Sequence, residues 1–167
     1  MPGRGKHSAR TEDGAGQRRV CLVASSGGHL AQLMPLEPWW SSWHRTWVTF
    51  ETQDAVSSLR DENDVVWAYH PTTRNLGNLA RNFVVAIRVL LRTRPDLVVS
   101  TGAGVAVPFF VVAKLLGIPT VYIEVYDRLE TPTMTARLCR PITSLFCVQW
   151  DEQRSLYRGA HVIGTLL

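Results

Sequence analysis

Two short glycine-rich segments are the residues of this sequence best suited to bind an anion. They are Ser25-Ser26-Gly27-Gly28-His29 and Ser100-Thr101-Gly102-Ala103-Gly104, and each follows an apolar run. Each leads into a predicted helix, whose first backbone N–H groups lack partners within the helix and favour a phosphate or diphosphate. Glycine also lets a ligand approach the backbone closely. The alternative interpretation is that these glycines only make tight strand-to-helix turns.

Two side chains near these turns could move a proton. His29 follows the first turn, where an imidazole could donate to a phosphate or act as a base, although it could also cap the helix and face solvent. Glu124 lies in an otherwise apolar predicted strand, where a carboxylate costs free energy unless it is paired or used. If Glu124 points into the same crevice, it could deprotonate a hydroxyl. The next acidic residues, Asp127 and Glu130, are assigned to surface ion pairs with Arg128 and Arg137.

The elements that must position these residues alternate between strands and helices. Strands are predicted at 20–25, 46–50, 64–69, 96–101, 119–125, 144–149 and 161–163. Helices are predicted at 28–36, 53–60, 76–93, 105–116, 132–139 and 151–157, with Thr131 as the cap before Pro132. This pattern predicts an α/β fold, a Rossmann-like, doubly wound parallel sheet of order 3-2-1-4-5-6. Strands one and four are neighbours in that order, so the two glycine turns would face each other across one crevice.

Length and composition indicate one globular domain. The chain has 167 residues, 46% of them hydrophobic and 19% charged, and a net charge of +4. Residues 1–19 are rich in glycine and charge and are predicted to be a flexible tail, so the domain spans 20–167. The positive charge is clustered, which favours an anionic surface or substrate and disfavours a nucleic-acid partner. Cys21, Cys139 and Cys147 lack metal-ligand spacing and are predicted to be buried free thiols.

Two groups of side chains leave a membrane role open. Arg74, Arg81 and Arg88 are seven residues apart and Arg92 follows four later, which makes one basic stripe on a helix. Such a helix could lie on an anionic membrane surface, or it could be an ordinary crossover helix with a solvated face. The cluster Trp39, Trp40 and Trp43 suits either an interface or, more simply, packing beneath the first helix. The longest apolar segment, 105–118, contains Pro108 and Lys114 and is too short to span a bilayer, which favours a cytoplasmic protein held peripherally at the membrane.

Three segments together resemble a known family of glycosyltransferase subunits. These are SSGGHLAQL, STGAGVAVPFFVVAKLLGIPTVYIEVYDRLETPTMTARL and LFCVQW, and the resemblance runs from about residue 20 to 164. The family is the asparagine-linked-glycosylation-fourteen family, the acceptor-binding subunits of two-component UDP-N-acetylglucosamine transferases. It includes bacterial capsule and exopolysaccharide subunits. More distantly, the segments resemble the N-terminal domain of MurG, the N-acetylglucosaminyltransferase of peptidoglycan synthesis.

The resemblance implies one half of a GT-B glycosyltransferase, since each of the two Rossmann-like domains of such an enzyme needs on the order of 150 residues. A separate partner subunit would carry the UDP-sugar site, and the pair would transfer a sugar with inversion to a polyprenyl-diphosphate-linked acceptor. Glu124 or His29 would be the base, and neither metal nor cofactor is implied. The residues implied to bind the acceptor diphosphate are Ser26, Gly27, Gly28, His29, Thr101, Gly102 and Gly104.

One departure and two alternatives remain. The eukaryotic subunit has an N-terminal membrane anchor, which residues 1–19 could not form, so the bacterial type is expected, attached at the cytoplasmic face of the membrane. The donor sugar stays open between N-acetylglucosamine and another hexose or uronic acid. The first alternative is a non-catalytic scaffold that recruits and activates a partner transferase. A nucleotide-dependent oxidoreductase is disfavoured, because the third glycine of the dinucleotide fingerprint is missing.

Overall fold

One parallel sheet organises the molecule. The computed structural model describes residues 17–72 and 74–166, and within them seven strands lie in the order β3-β2-β1-β4-β5-β6-β7. The predicted doubly wound order is therefore confirmed, with β7 added at the edge beside β6. The strands are β1 Arg19–Val23, β2 His44–Phe50, β3 Val65–Ala68, β4 Leu97–Ser100, β5 Thr120–Ile123, β6 Leu145–Val148 and β7 His161–Val162.

Helices connect consecutive strands. They are α1 Gly28–Ala31, α2 Glu37–Trp40, α3 Gln53–Ser58, α4 Leu76–Thr93, α5 Ala106–Leu115 and α6 Met134–Cys139, with 3₁₀ turns at Met34–Leu36, Arg140–Ile142 and Glu152–Ser155. The prediction of one helix over 28–36 is wrong, because Pro35 has no N–H to donate to the carbonyl of Ala31. The helix predicted at 151–157 is only a 3₁₀ turn, in which Leu156 donates to the carbonyl three residues back.

The core has two halves, one on each face of the sheet. In β1, Cys21 and Val23 pack toward α4, α5 and α6, while Val20 and Leu22 pack toward α1, α2 and α3. Both faces of the central strands are thus covered, which explains why these strands are continuous apolar runs. The three cysteines are buried and free, as predicted.

Two buried asparagines of α4 hold the loop between β3 and α4. Asn82 accepts from the backbone N–H of Tyr69 and donates to the carbonyl of the same residue, both at 2.9 Å. Asn78 donates to the carbonyl of Pro71 at 3.0 Å. The cap of α4 is Asn75, whose side chain accepts from the N–H of Asn78. This loop is therefore fixed to α4 by polar side chains on the buried side of an otherwise apolar helix face.

Two further predictions, the flexible tail and the packing of the tryptophan cluster, concern the N-terminal side of the chain. Residues 1–16 of the predicted tail lie outside the described residues, and Arg19 already belongs to β1. Trp40 is buried and its indole N–H donates to the carbonyl of Leu33, which confirms packing for this tryptophan. Trp39 stacks at a tilt on Trp43 and stays 38% exposed. None of the helices in residues 17–72 and 74–166 is long and apolar enough to cross a membrane.

Candidate functional site

The two glycine turns meet at the carboxyl ends of β1 and β4, which are hydrogen-bonded neighbours. Two hydrogen bonds join the turns directly. The Thr101 hydroxyl donates to the backbone carbonyl of His29 at 2.6 Å, and Nδ1 of His29 lies 2.8 Å from the backbone carbonyl oxygen of Thr101. The structure therefore brings together the two segments that the sequence analysis singled out, at the switch point where open α/β sheets bind ligands.

The second turn offers a set of free backbone donors at the start of a longer helix. The backbone N–H groups of Ala103, Gly104 and Val105 have no acceptor in the described part of the chain, and they stand at the start of α5, a helix of 10 residues. Gly102 and Ala103 both have positive φ, at 109° and 66°. Consecutive free amides at a helix start, with the positive end of its dipole, favour an anion.

The first turn is partly occupied by an acidic side chain. Gly27 donates its backbone N–H to the carboxylate of Asp54 at 2.8 Å. Asp54 stands in the first turn of α3, and the sequence analysis missed it because an acidic residue there has the ordinary role of favouring a helix start. The backbone N–H groups of Ser26, Gly28 and His29 have no acceptor in the described part of the chain, but α1 is a single turn. An added anion is therefore favoured at the second turn over the first.

His29 is half-buried at the junction and lines an open cleft. The other residues along this cleft are Gly28, Gln32, Val125, Tyr126, Asp127 and Arg128. Gly102 lies directly beside the imidazole ring: a Cβ at this position would come within 3.4 Å of Cε1 of His29 and 2.7 Å of the Tyr122 hydroxyl. A side chain at position 102 would therefore clash with the Tyr122 hydroxyl, while it would only touch the His29 ring.

Glu124 does not open into the crevice, so the condition under which it could deprotonate a hydroxyl is not met in this structure. Its side chain is fully buried and accepts hydrogen bonds from the N–H of Val125 at 3.1 Å, from the Thr133 hydroxyl at 3.2 Å and from the Tyr157 hydroxyl. Burial raises the pKa of the Glu124 carboxyl, and the three hydrogen bonds and the nearby His29 oppose that rise. The carboxylate joins β5 to the start of α6 and to the segment before β7.

The cap of α6 depends on this carboxylate. Thr133, not the predicted Thr131, is the cap, since its hydroxyl oxygen accepts from the N–H of Ala136 at 3.1 Å. The same hydroxyl donates its hydrogen to Glu124, and the Thr133 N–H donates to Tyr157 at 3.2 Å. A buried acceptor on β5 therefore selects which of two nearby threonines begins the helix.

Not all of the predicted acceptor-binding residues are accessible. Ser26, Gly27, Gly28, His29 and Gly104 are at least partly exposed, whereas Thr101 and Gly102 are buried. Asp127, Glu130 and their expected partners are all exposed, and neither ion pair forms among the described residues.

Sequence reasoning missed a buried set of glutamines that holds the wall of the cleft. Gln153 donates to the carbonyls of Val125 and Arg128 at 2.8 and 3.1 Å. Gln149 donates to Gln32 at 2.5 Å and to the carbonyl of Glu124 at 3.0 Å. The one sequence signal for this arrangement was a polar residue, Gln149, directly after the apolar strand β6. Its amide can be buried because its partners, Gln32 and Glu124, lie more than 20 residues away in sequence.

The basic residues form a stripe only in part. Arg81, Arg88 and Arg92 lie on α4, but Arg74 precedes the helix with φ 53°, so it is not on that helix face. Arg92 pairs with Asp64 at 2.8 Å. Exposed apolar side chains accompany the arginines on α4, namely Leu76, Val84, Ile87 and Leu91. This helix face is thus both basic and apolar.

The fold and the paired glycine turns define a single Rossmann-like domain of the GT-B class. MurG from Acinetobacter baumannii matches with a TM-score of 0.72 and 19% identity, over 90% of this chain and 46% of that one. UDP-GlcNAc 2-epimerase from Neisseria meningitidis, bound to UDP-GlcNAc, matches with a TM-score of 0.70 and 16% identity, over 88% and 46%. The chain therefore spans just under half the length of these solved structures.

The particular family follows from the sequence. The family model described as "Oligosaccharide biosynthesis protein Alg14 like" matches residues 69–166, more than half of the chain, so this chain belongs to the Alg14 family. The UDP-N-acetylglucosamine transferase subunit ALG14 of Mus musculus is 28% identical over 180 residues, covering 89% of this chain and 83% of the relative. The human subunit is 25% identical over the same share of this chain and 82% of its own. The family resemblance seen in the motifs is confirmed.

Proposed function

We propose that this chain is the acceptor-binding subunit of a heteromeric glycosyltransferase. With a partner subunit that carries the UDP-sugar site, it would transfer a sugar to a polyprenyl-diphosphate-linked acceptor in polysaccharide or lipid-linked oligosaccharide synthesis. The observation that carries the proposal is the position of His29, which two hydrogen bonds to Thr101 hold where the two glycine turns meet. Membership of a family whose relatives are named as UDP-N-acetylglucosamine transferase subunits supports it.

The charges and donors of the two turns favour one position for the acceptor. Its diphosphate would accept from the free amides of Ala103, Gly104 and Val105, because Asp54 already holds the Gly27 amide and repels a second anion there. The acceptor sugar would then extend along the junction toward His29 and the cleft between Gly28 and Arg128. Gly28 and Ser26, both accessible, would contact the sugar or the nearer phosphate.

In the proposed reaction His29 is the catalytic base. The acceptor hydroxyl gives its proton to His29 while its oxygen forms a bond to the anomeric carbon of the UDP-sugar. The bond from that carbon to the UDP oxygen breaks, UDP leaves with the electron pair, and the configuration inverts. His29 then returns the proton to solvent. Glu124 is the less suitable base, since its carboxylate would first have to leave the Tyr157 and Thr133 hydroxyls. Its role would instead be structural, through its hydrogen bonds to these two residues.

Membrane attachment would use α4. Its exposed apolar residues would enter the interface, and the arginines beside them would face anionic headgroups at the cytoplasmic leaflet. Leu76, at the start of the helix, is 79% exposed and lies next to the loop that packs on Gly104, where a Cβ would come within 2.8 Å of the Thr72 hydroxyl. The polyprenyl chain would therefore leave the membrane close to the second glycine turn.

The test is a reconstituted transfer assay. Radiolabelled UDP-sugars, UDP-N-acetylglucosamine first, are offered with a polyprenyl-diphosphate-linked sugar to this chain, to its candidate partner and to both. We expect transfer only with both, and a loss of about 10² to 10⁴ in kcat for His29→Gln. His44→Gln, an exposed histidine on β2, is the matched control and should keep full activity. Equal transfer by the partner alone would contradict the proposal and make this chain a scaffold.

A further inference from the structure

The hydrogen bond on Nδ1 determines which tautomer His29 adopts when its ring is neutral. A carbonyl oxygen only accepts hydrogen bonds, so the 2.8 Å contact with the Thr101 carbonyl requires the proton on Nδ1. Nε2 then carries the free lone pair. We infer that Thr101 is a positioning residue that holds His29 as the Nδ1–H tautomer, with Nε2 as the proton-accepting atom. The use of that lone pair in transfer rests on the proposed function, whereas the tautomer itself does not.

Thr101 makes two hydrogen bonds with His29. Its hydroxyl donates to the His29 backbone carbonyl at 2.6 Å, and its own backbone carbonyl takes the ring N–H. The two residues are 72 positions apart in sequence, so the pair of bonds locks one glycine turn onto the other. One bond fixes the backbone of His29 and the second fixes the rotation of its ring. Without the hydroxyl bond the backbone of His29 could shift, and the ring N–H would lose its alignment with the Thr101 carbonyl.

The burial of Thr101 separates this role from the one implied by the family resemblance. Its side chain is fully buried and its hydroxyl hydrogen is already donated, so a phosphate in the crevice cannot reach it. Positioning of His29 remains as the role for a polar side chain here. A threonine hydroxyl also suits the place because it can donate to a carbonyl without bringing a charge into the protein interior.

The arrangement also suits a base that must gain and lose a proton. When Nε2 takes a proton, the Nδ1–H bond to Thr101 persists and becomes charge-assisted, which stabilises the imidazolium in place. The residue after Thr101 is a glycine, Gly102, so no side chain at this position crowds the His29 ring. The base can therefore complete a cycle without a change in its anchoring.

The first test is spectroscopic and needs no partner. The full chain is labelled with ¹⁵N-histidine, and ring nitrogen shifts are measured under conditions where the ring is neutral, with His29 assigned by the signal that His29→Gln removes. We expect the Nδ1–H tautomer for His29. The Nε2–H tautomer in the unmodified chain would overturn the inference. Thr101→Val keeps the shape but removes the hydroxyl, and should shift His29 toward a mixture of tautomers; Thr101→Ser should restore the original signal.

The second test uses the complex with the partner subunit. Loss of one hydrogen bond should lower kcat of Thr101→Val by about tenfold with KM unchanged, and Thr101→Ser should recover most of it. A raised KM with unchanged kcat would show that Thr101 contacts the acceptor, and would overturn its positioning role. If His29→Gln keeps full activity while the Nδ1–H tautomer is observed, the proposed base is wrong but the tautomer assignment stands, so the two failures are distinguishable.

Discussion

At the scale of single residues, Gly102 joins the stability of the domain to the geometry of its site. Its φ of 109° suits glycine, and a Cβ added here would come within 2.7 Å of the Tyr122 hydroxyl and 3.4 Å of the His29 ring. We expect Gly102→Ala to lower the free energy of unfolding by about 3 kcal/mol, because backbone strain and a Cβ placed 2.7 Å from a hydroxyl oxygen add together. Urea unfolding followed by tryptophan fluorescence measures the loss.

The matched control for this change is Gly117→Ala. Gly117 has φ 71°, but nothing lies within 4 Å of the added Cβ, so strain acts alone and about 1 kcal/mol is expected. In a Tyr122→Phe background the loss at Gly102 should shrink, since the hydroxyl that the Cβ would meet is gone. Equal losses at Gly102 and Gly117 would show that the close approach has no energetic weight.

Glu124 is expected to make stability depend on pH in an unusual direction. Because burial raises its pKa above the ordinary 4.5, the folded chain holds this proton more tightly than the unfolded chain. The free energy of unfolding should therefore fall as pH rises from about 4.5 through the raised pKa. Glu124→Gln cannot ionise, so its stability relative to the unmodified chain should improve steadily across that window, as measured by denaturant unfolding at several pH values.

Tyr157→Phe is the complementary variant, because it should change the pKa of Glu124 without removing the carboxyl group. It removes a hydrogen bond that favours the ionised carboxylate, so the pKa of Glu124 should rise further and the pH-dependent loss should extend to higher pH. A difference between Glu124→Gln and the unmodified chain that is the same at every pH would contradict the assignment of the buried proton to Glu124.

At the scale of elements, the two sides of α4 differ in character. Its inner side carries Asn78 and Asn82, which hold the loop beside the second glycine turn, and its outer side carries the exposed apolar residues. We expect Ile87→Ser to weaken binding to vesicles containing phosphatidylserine by about tenfold, because an exposed apolar anchor is lost. Arg88→Gln should weaken it about fivefold, and only when anionic lipid is present. Vesicle co-sedimentation measures both.

Val56→Ser is the matched control for Ile87→Ser. Val56 on α3 is 46% exposed and Ile87 is 45% exposed, but α3 lies on the other face of the sheet. Its substitution should leave vesicle binding unchanged. Equal effects of the two substitutions, or no binding by the unmodified chain, would remove α4 as the membrane-facing element.

Element prediction succeeded where the signal is local and failed where a single residue or a distant partner intervenes. The apolar runs and the 3.6-residue periodicity of 76–93 predict the sheet and α4 well, since each pattern lies within one element. Pro35 divides the first predicted helix, a signal that was present in the sequence but was outweighed by the surrounding periodicity. The cap at Thr133 could not be chosen over Thr131 without knowing that Glu124 and Tyr157 lie beneath it.

At the scale of the whole molecule, the candidate site lies at one edge of the single sheet, and in the proposed complex it would form one wall of a larger crevice. The chain corresponds to about half of MurG, and its glycine turns, His29 and the cleft all lie at the carboxyl edge of the sheet. In the proposed function this domain would hold the acceptor and the base, and the partner subunit would bring the UDP-sugar. This geometry is why the proposed activity is tested on the pair of subunits.

The sequence by itself determined the parallel α/β fold, the order of its first six strands and the meeting of two glycine turns beside His29. These follow from local patterns of burial and turn chemistry together with the handedness of crossover connections. Only the tertiary structure decided that Asp54 occupies the Gly27 amide, that Glu124 is buried and that Thr101 grips His29. Each of those outcomes depends on which atoms of distant residues come within hydrogen-bond distance, and no pattern along the chain specifies that.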